Sequence, residues 1–481
     1  MVNDDGVFVR QEARSLGDDT LHWYGRAVGV MKERPAEDVT SWWYQAAIHG
    51  SREEPAKALY SQCKHGTWFF LPWHRAYLYY WERIVRSAVV EAGGPDDWSM
   101  PYWNYGIDED HASIPEAFRR PEEDDGTPNH LYVAERAPST PWEPGINDGA
   151  ILDPLATSDA AALAAQQFVG PEEFGGGPRP PTRLFFGEAG QLEREPHNAI
   201  HGEVGGEEGW MRYPSRAAKD PIFWLHHANI DRIWAQWELT HQDAAESAWR
   251  EEEFTFFDVD RSEAAKKPEQ VLDTIADLNY TYDAIPSKAA PDTEEEERFA
   301  IATPNPDRER KVVGAAEGKV TLTGNPETVP VAIDNRAQPE VQEASRQANP
   351  QRLFLSIEEI EGDTDPGTVY GVYVNLPENP DEETLAAHYA GNISFFGIER
   401  AQEPSGDEHG HSLRYVLEVT HLLRTLGGGE DFGDEELQVT FRPLRRRWPK
   451  GHPEKESFAP SPAARTEPAI EIGRVSLAVG A

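Results

Sequence analysis

A mainly α N-terminal domain followed by an all-β sandwich is the fold class that this sequence predicts, and three observations carry it. Four aromatic-rich segments within residues 1–285 repeat apolar positions every three or four residues. Near Ala284 that period stops, and a Pro-containing acidic stretch gives way to short runs of alternating β-formers. Within the first part, six histidines fall into two groups of three: His49, His65 and His74, then His197, His201 and His227.

The helical segments are LHWYGRAVGVMKER (21–34), SWWYQAAIHG (41–50), PWHRAYLYYWERIVRSAVVEAG (72–93) and DPIFWLHHANIDRIWAQWELTH (220–241), which read as helices of one bundle. The long stretches between them, 120–149 and 168–183, carry the Gly, Pro and acidic content of loops, and loops this long in a compact domain usually shape the mouth of a site. Residues 286–312 have neither helical nor strand period and read as an acidic linker. Beyond it, KVTLTG, QRLFLSIEEI, TVYGVYVNLP, SLRYVLEVTHLL and LQVTFRPL predict the strands of a second domain over 313–481, a β-sandwich.

Composition narrows the partners. With 85 acidic against 45 basic residues the formal charge is −40, which repels nucleic acid and anionic membranes and suits high solubility or a salt-rich habitat. Cys63 is the only cysteine, so no intrachain disulfide forms. The N-terminal stretch is charged, without an apolar signal region or a twin-Arg motif, and no stretch is long and apolar enough to span a bilayer. Cytoplasmic synthesis is the expectation, with export by another route left open.

The histidines carry the chemistry. His197 and His201 stand four apart in HNAIH, so on a helix both rings leave one face toward one ion. Neutral imidazoles suit copper, zinc, iron or nickel; an all-His set disfavours calcium and magnesium, and non-haem iron sites usually add a carboxylate. Three imidazoles per ion leave room for a bridging small molecule such as dioxygen, which makes copper the leading choice.

CKHGTWFFLPWHRAYLYYWE, EPHNAIHGEVGG and DPIFWLHHANIDRIWAQW resemble the two copper-binding regions of the type-3 copper family: tyrosinases, catechol oxidases and molluscan hemocyanins. The resemblance implies an antiparallel four-helix bundle around a dicopper site, with His49, His65 and His74 on one ion and His197, His201 and His227 on the other. It selects His227 over His226. Cys63, two before His65, matches the Cys-x-His spacing that forms a thioether to the ligand ring in some members. Asp231 is expected to accept a hydrogen bond from a ligand imidazole, Phe223 to stack on ligand rings, and Arg10 to pack on Tyr280 and Tyr282 and close the domain.

The implied activity is copper-dependent oxidation of phenols: o-hydroxylation of monophenols and oxidation of o-diphenols to o-quinones, with dioxygen reduced to water. A phenol must first lose its proton, and family members that hydroxylate monophenols hold a water between an Asn and a Glu. Asn198 stands at the Asn position. The usual Glu position holds Arg194, so Glu193 or Glu195 is expected to supply the carboxylate, while Gly202 adds no polar guide. The alternatives are a catechol oxidase or o-aminophenol oxidase without monophenolase activity, or a hemocyanin-like oxygen carrier. TVYGVYVNLPEN and HYAGNISFFGIER resemble the β-domain that covers the site in latent members, implying a proenzyme cut in the linker, although the residue that plugs the site is not legible. His409 and His411 read as a solvated loop. Implied partners are small phenols and catechols, dioxygen and, further, a copper-delivery protein.

Overall fold

A computed structural model describes the chain except for residues 1, 17, 54–56, 58, 141–142, 171–172, 179–188, 286–309, 346–350, 402–412, 428–435, 450–451, 453–467 and 481. Most of the expected linker, and His409 and His411, lie outside the described residues.

Among the described residues, the five longest α-helices of the N-terminal region are α1 (Asp18–Glu33), α2 (Trp42–His49), α3 (Phe70–Glu91), α4 (Ala199–Gly205) and α5 (Pro221–Trp237). Their starts follow local chemistry. Ser41 caps α2, its hydroxyl accepting from Tyr44 N at 3.1 Å. Asp220 caps α5 ahead of Pro221, which carries no amide hydrogen to leave unpaired. The same carboxylate receives both arms of buried Arg136, at 2.9 and 2.7 Å. Pro72 falls in the first turn of α3, where its missing N–H removes nothing, so the helix runs from Phe70 across it. Aromatic packing joins the helices, with Trp81 of α3 flat on Trp224 of α5 at 4.0 Å. No described helix is long and apolar enough to cross a membrane.

The chain's first strand, β1 (Phe8–Arg10), pairs in parallel with β2 (Tyr280–Tyr282), bringing the two ends of the region together. Arg10 lies over the Tyr280 ring at 3.6 Å, the clamp expected from sequence. The partner of this clamp differs from expectation. Asp231 reaches no imidazole; its oxygens accept from Arg75 Nε (2.5 Å), Arg10 (3.1 Å) and the hydroxyls of Tyr280 and Tyr282 (2.5 Å each). Two guanidiniums and two hydroxyls saturate the carboxylate, and the two arginines hold its pKa below the usual range against the pull of burial.

From Lys311, inside the stretch expected to be linker, the described residues form nine strands: β3 (Lys311–Ala316), β4 (Val320–Leu322), β5 (Glu327–Ile333), β6 (Arg352–Glu361), β7 (Tyr370–Val374), β8 (Tyr389–Ile393), β9 (Leu413–Glu418), β10 (Glu436–Pro443) and β11 (Ile470–Gly480). They form one antiparallel sheet in the order β8-β7-β10-β5-β3-β11-β6-β9, with β4 also on β11. This corrects the expected sandwich of two sheets. Alternation of apolar residues along a strand records only which face is buried; the sheet twists until its edges β8 and β9 approach, and Tyr415 OH donates to Ser394 O at 2.6 Å across the closure. The core is then the inside of one curled sheet, with Val331, Leu355, Ile357, Val372, Val439 and Leu477 fully buried.

The two regions touch through polar contacts and through a small buried cluster of Ala156, Ala199, Val369 and Leu444. Arg445 and Arg446 meet Glu143 at 2.9 and 2.8 Å, and Ile151 exchanges two backbone hydrogen bonds with Arg447. At Gly367, where φ is +67°, an added Cβ would lie 1.9 Å from Gly206 O, so this close approach requires glycine. Replacing Asp231 by Ala should take the shared carboxylate from two buried guanidiniums, leaving Arg10 to Glu82 and Arg75 to Glu238 alone, and lower stability by about 3 kcal/mol, read by denaturant unfolding; a change below about 1 kcal/mol would show the cluster to be dispensable.

Candidate metal centre

The six histidines arrive on different elements and converge. His49 ends α2, His74 lies in the first turns of α3, His201 sits on α4 and His227 on α5. His65 precedes α3 on a loop, and His197 lies in a kinked turn leading into α4. All six are at most 3% exposed.

Their second nitrogens explain how the rings are aimed. Carbonyl oxygens can only accept, so His49 Nδ1 donates to Pro214 O (2.9 Å), His74 Nδ1 to Phe70 O (2.8 Å) and His201 Nδ1 to Met211 O (2.6 Å). His197 Nδ1 lies 2.8 Å from the Asn198 amide oxygen. Carrying the proton on Nδ1 leaves the Nε2 lone pair bare. The Nε2 atoms of His65, His74, His197, His201 and His227 are buried with no hydrogen-bond partner. So many unsatisfied acceptors in one place are costly in a protein interior unless something binds them. Burial keeps the rings neutral: it pushes His197 down to about 3 and His65, His74, His201 and His227 well below the ordinary imidazole value.

The donor set fits copper. Ring nitrogens of His197, His201, His226 and His227 lie within 4.8 Å of one another, and so do those of His49, His74 and His227. His227 joins both groups, its ring stacked on His74 at 4.4 Å. His226 is also buried with a bare Nε2, but its Nδ1 lies 3.3 Å from the Tyr105 hydroxyl, whereas neither nitrogen of His227 has a hydrogen-bond partner. Phe223, expected to stack on ligand rings, lies tilted by 43° against His227 (4.2 Å) and edge-on to His49 (4.8 Å). Cys63 is buried, its sulfur within 4.8 Å of ring nitrogens of both His49 and His65.

The two candidate carboxylates point different ways. The turn 193–198 is helical except at Glu195, whose extended backbone (φ −136°, ψ 122°) reverses its side chain. Glu195 accepts from Asn392 N of the C-terminal region at 2.5 Å. Glu193 accepts from Gly66 N, beside His65, at 2.7 Å. Burial raises the Glu193 carboxyl to about 8 and that of Glu195 to about 7. Arg194, also buried, donates to Val416 O of the C-terminal region (2.8 Å).

One residue absent from the sequence reading stands over the site. Phe396, from the C-terminal region, stacks on His201 with ring centres 4.1 Å apart, and lies 5.5 Å from His65 and 5.8 Å from His197. A methyl of Val369 lies 3.1 Å from where a Cβ on Gly202 would be. The available signal was SFFG, an aromatic pair that breaks strand alternation just before a glycine.

Comparison with known proteins agrees with this geometry. Residues 39–240 match the family described as the common central domain of tyrosinase, and residues 309–452 match a domain of unknown function, DUF7868. The tyrosinase HcTyr1 of Hahella sp. is 31% identical, over 91% of this chain and 96% of its own length. A chloroplastic polyphenol oxidase, A1 of Vicia faba, is 26% identical over 90% of this chain and 74% of its own. Among solved structures, that of latent apple tyrosinase shares the fold with a TM-score of 0.62 at 21% identity, covering 99% of this chain and 97% of the other.

The neutral rings make a metal-loading prediction with a definite sign. Protons compete for an imidazole lone pair only below its pKa, and these pKa values are depressed. Copper content by elemental analysis should therefore hold at two ions per chain from about pH 7 to about pH 5, where histidines of ordinary pKa near 6.5 would already be losing metal. His201→Ala should retain fewer than two ions; retention of both would remove His201 from the donor set.

Proposed function

The chain belongs to the tyrosinase family of type-3 copper proteins, and from that membership we propose that it hydroxylates monophenols, oxidises o-diphenols to o-quinones, and is held latent by its own C-terminal region. Copper-dependent oxidation of phenols by dioxygen is the chemistry of that family. A bound copper pair supplies the two-electron exchange between dioxygen and the phenol.

His49, His65 and His74 would hold one ion, and His197, His201 and His227 the other. The buried Nε2 lone pairs support this reading more than any other observation. The carbonyls at Pro214, Phe70 and Met211 fix ring orientation, and Phe223 blocks rotation of His227 and His49. Cys63 is positioned for the thioether to His65, which would make the intact protein two hydrogens lighter than its sequence.

The monophenol step needs a base. A phenol pKa near 10 lies about two units above a carboxyl near 8, and proton transfer is most efficient when the base titrates near the working pH. Glu193, beside His65 through Gly66 N, is the residue we assign to hold the accepting water together with Asn198. Glu195 serves the contact with Asn392 instead. Latency rests on Phe396, whose ring takes the place over His201 that a phenol ring needs.

Two assays separate these assignments. Glu193→Gln should lower monophenol kcat by about a hundredfold while changing catechol kcat by less than about threefold; a parallel fall in both would remove Glu193 as the specific base. In the uncut chain, Phe396→Gly should raise catechol turnover by about tenfold or more, and Gly367→Ala, which unseats the C-terminal region elsewhere, should raise it too. If cutting the linker leaves the catechol rate unchanged, latency is excluded.

A further inference from the structure

Cations are scarce on this chain, yet three arginines surround one ring beside the metal centre. Around Tyr213 stand Arg212 (4.7 Å), Arg216 (5.3 Å) and Arg52 (6.0 Å). The loop that carries Tyr213 backs the site directly, because Met211 O and Pro214 O take the Nδ1 hydrogens of His201 and His49. The carboxylates facing these arginines come from the C-terminal region. Glu399 pairs with Arg52, and Asp365 Oδ1 stands 3.9 Å from Arg212 Nε. Arg212 is 1% exposed, and its Nε makes no hydrogen bond. Thr364 Oγ1 joins the two, donating to Glu399 at 2.9 Å and accepting from Arg212 at 3.3 Å. Arg52, Arg212, Asp365 and Glu399 line one pocket with Pro214 and Gly397.

Glu399 follows Phe396 by three residues, a chain length that spans at most about 10 Å. The segment thus puts an aromatic ring over the imidazoles and a carboxylate on an arginine at the edge of the same site. That is the outline of a phenyl group with a short acidic tail. We propose that Arg52 and Arg212 are specificity residues which, once the C-terminal region has moved, bind the carboxylate of the substrate, so that phenols and catechols with a short carboxylate-bearing side chain are the preferred class.

The proposal rests on the phenol-oxidising reading above. Its physical basis is that the departing domain removes Glu399 and Asp365 and leaves the guanidiniums of Arg52, already largely exposed, and Arg212 without those carboxylates, beside the loop that holds His201 and His49. An overall charge of −40 repels anionic substrates at long range, so acceptance of an acid has to come from a local cluster such as this one.

The test uses the full-length, copper-loaded chain opened by Phe396→Gly together with Glu399→Gln. Its substrates are 3-(3,4-dihydroxyphenyl)propionate, the methyl ester of that acid, and 4-methylcatechol as the uncharged reference. KM for the acid should be about fivefold below that for the ester at low ionic strength, with similar kcat, and the ratio should shrink in high salt. Arg52→Gln or Arg212→Met should move the ratio toward one, and Arg52→Lys should restore part of it. Calorimetric titration with 3-phenylpropionate and 3-phenylpropanamide should give the same preference without turnover. Equal KM for acid and ester, or a ratio unmoved by both arginine substitutions, overturns the proposal. If 4-methylcatechol is not oxidised at all, the phenol-oxidase reading fails instead, and the calorimetric ratio alone decides whether the arginines hold a carboxylate.

Discussion

The two oxygens of Asp231 are the point on which the N-terminal region turns. Arg75 follows His74 directly on α3, and Asp231 follows His227 by one helical turn on α5, so their buried ion pair sets the spacing of the two helices that bring one ligand from each group. Arg10 and the Tyr280–Tyr282 strand bring both ends of the N-terminal region to the same carboxylate. Buried charges of this kind contribute little net stability over an apolar core of the same shape, but they tolerate no loss of a partner. The arrangement therefore favours one helix register strongly over its neighbours.

That register serves a second constraint, which is keeping a crowd of imidazoles neutral and dry. Backbone carbonyls hold three of the rings by Nδ1, and aromatic neighbours fill the space around them. A carbonyl in the role that a carboxylate often plays keeps the net charge at the centre low. The acidic residues are kept out of direct contact with the rings: Asp231 is consumed by arginines, Glu195 faces Asn392, and Glu193 approaches only as far as Gly66.

Much of this was legible in the sequence because short motifs fix local geometry. HNAIH places two rings on one helix face, and Phe223 stands one turn before His227, so both readings needed only helix periodicity. Asp231 was misread for the same reason: helix periodicity puts it beneath His227, but the arginine that claims it lies 156 residues away, and no local pattern announces that. The different directions of Glu193 and Glu195 come from one extended residue inside a helical turn, which no sequence period records. Phe396 is not singled out, although its segment HYAGNISFFGIER reads as part of a covering domain, because the sequence does not say which side chain of that segment faces the centre; the curled sheet was invisible because strand alternation does not record where a sheet's edges meet.

The way the rings are held has a consequence for the order of events in the life of the molecule. Each Nδ1 hydrogen bond to a carbonyl forms as the backbone folds and asks nothing of the ion. A metal that had to organise its own ligands would tie folding to supply, as happens in small domains that stay unfolded until loaded. Here three of the six rings are aimed by contacts of the fold itself. Rings held in this way would let loading follow folding rather than drive it.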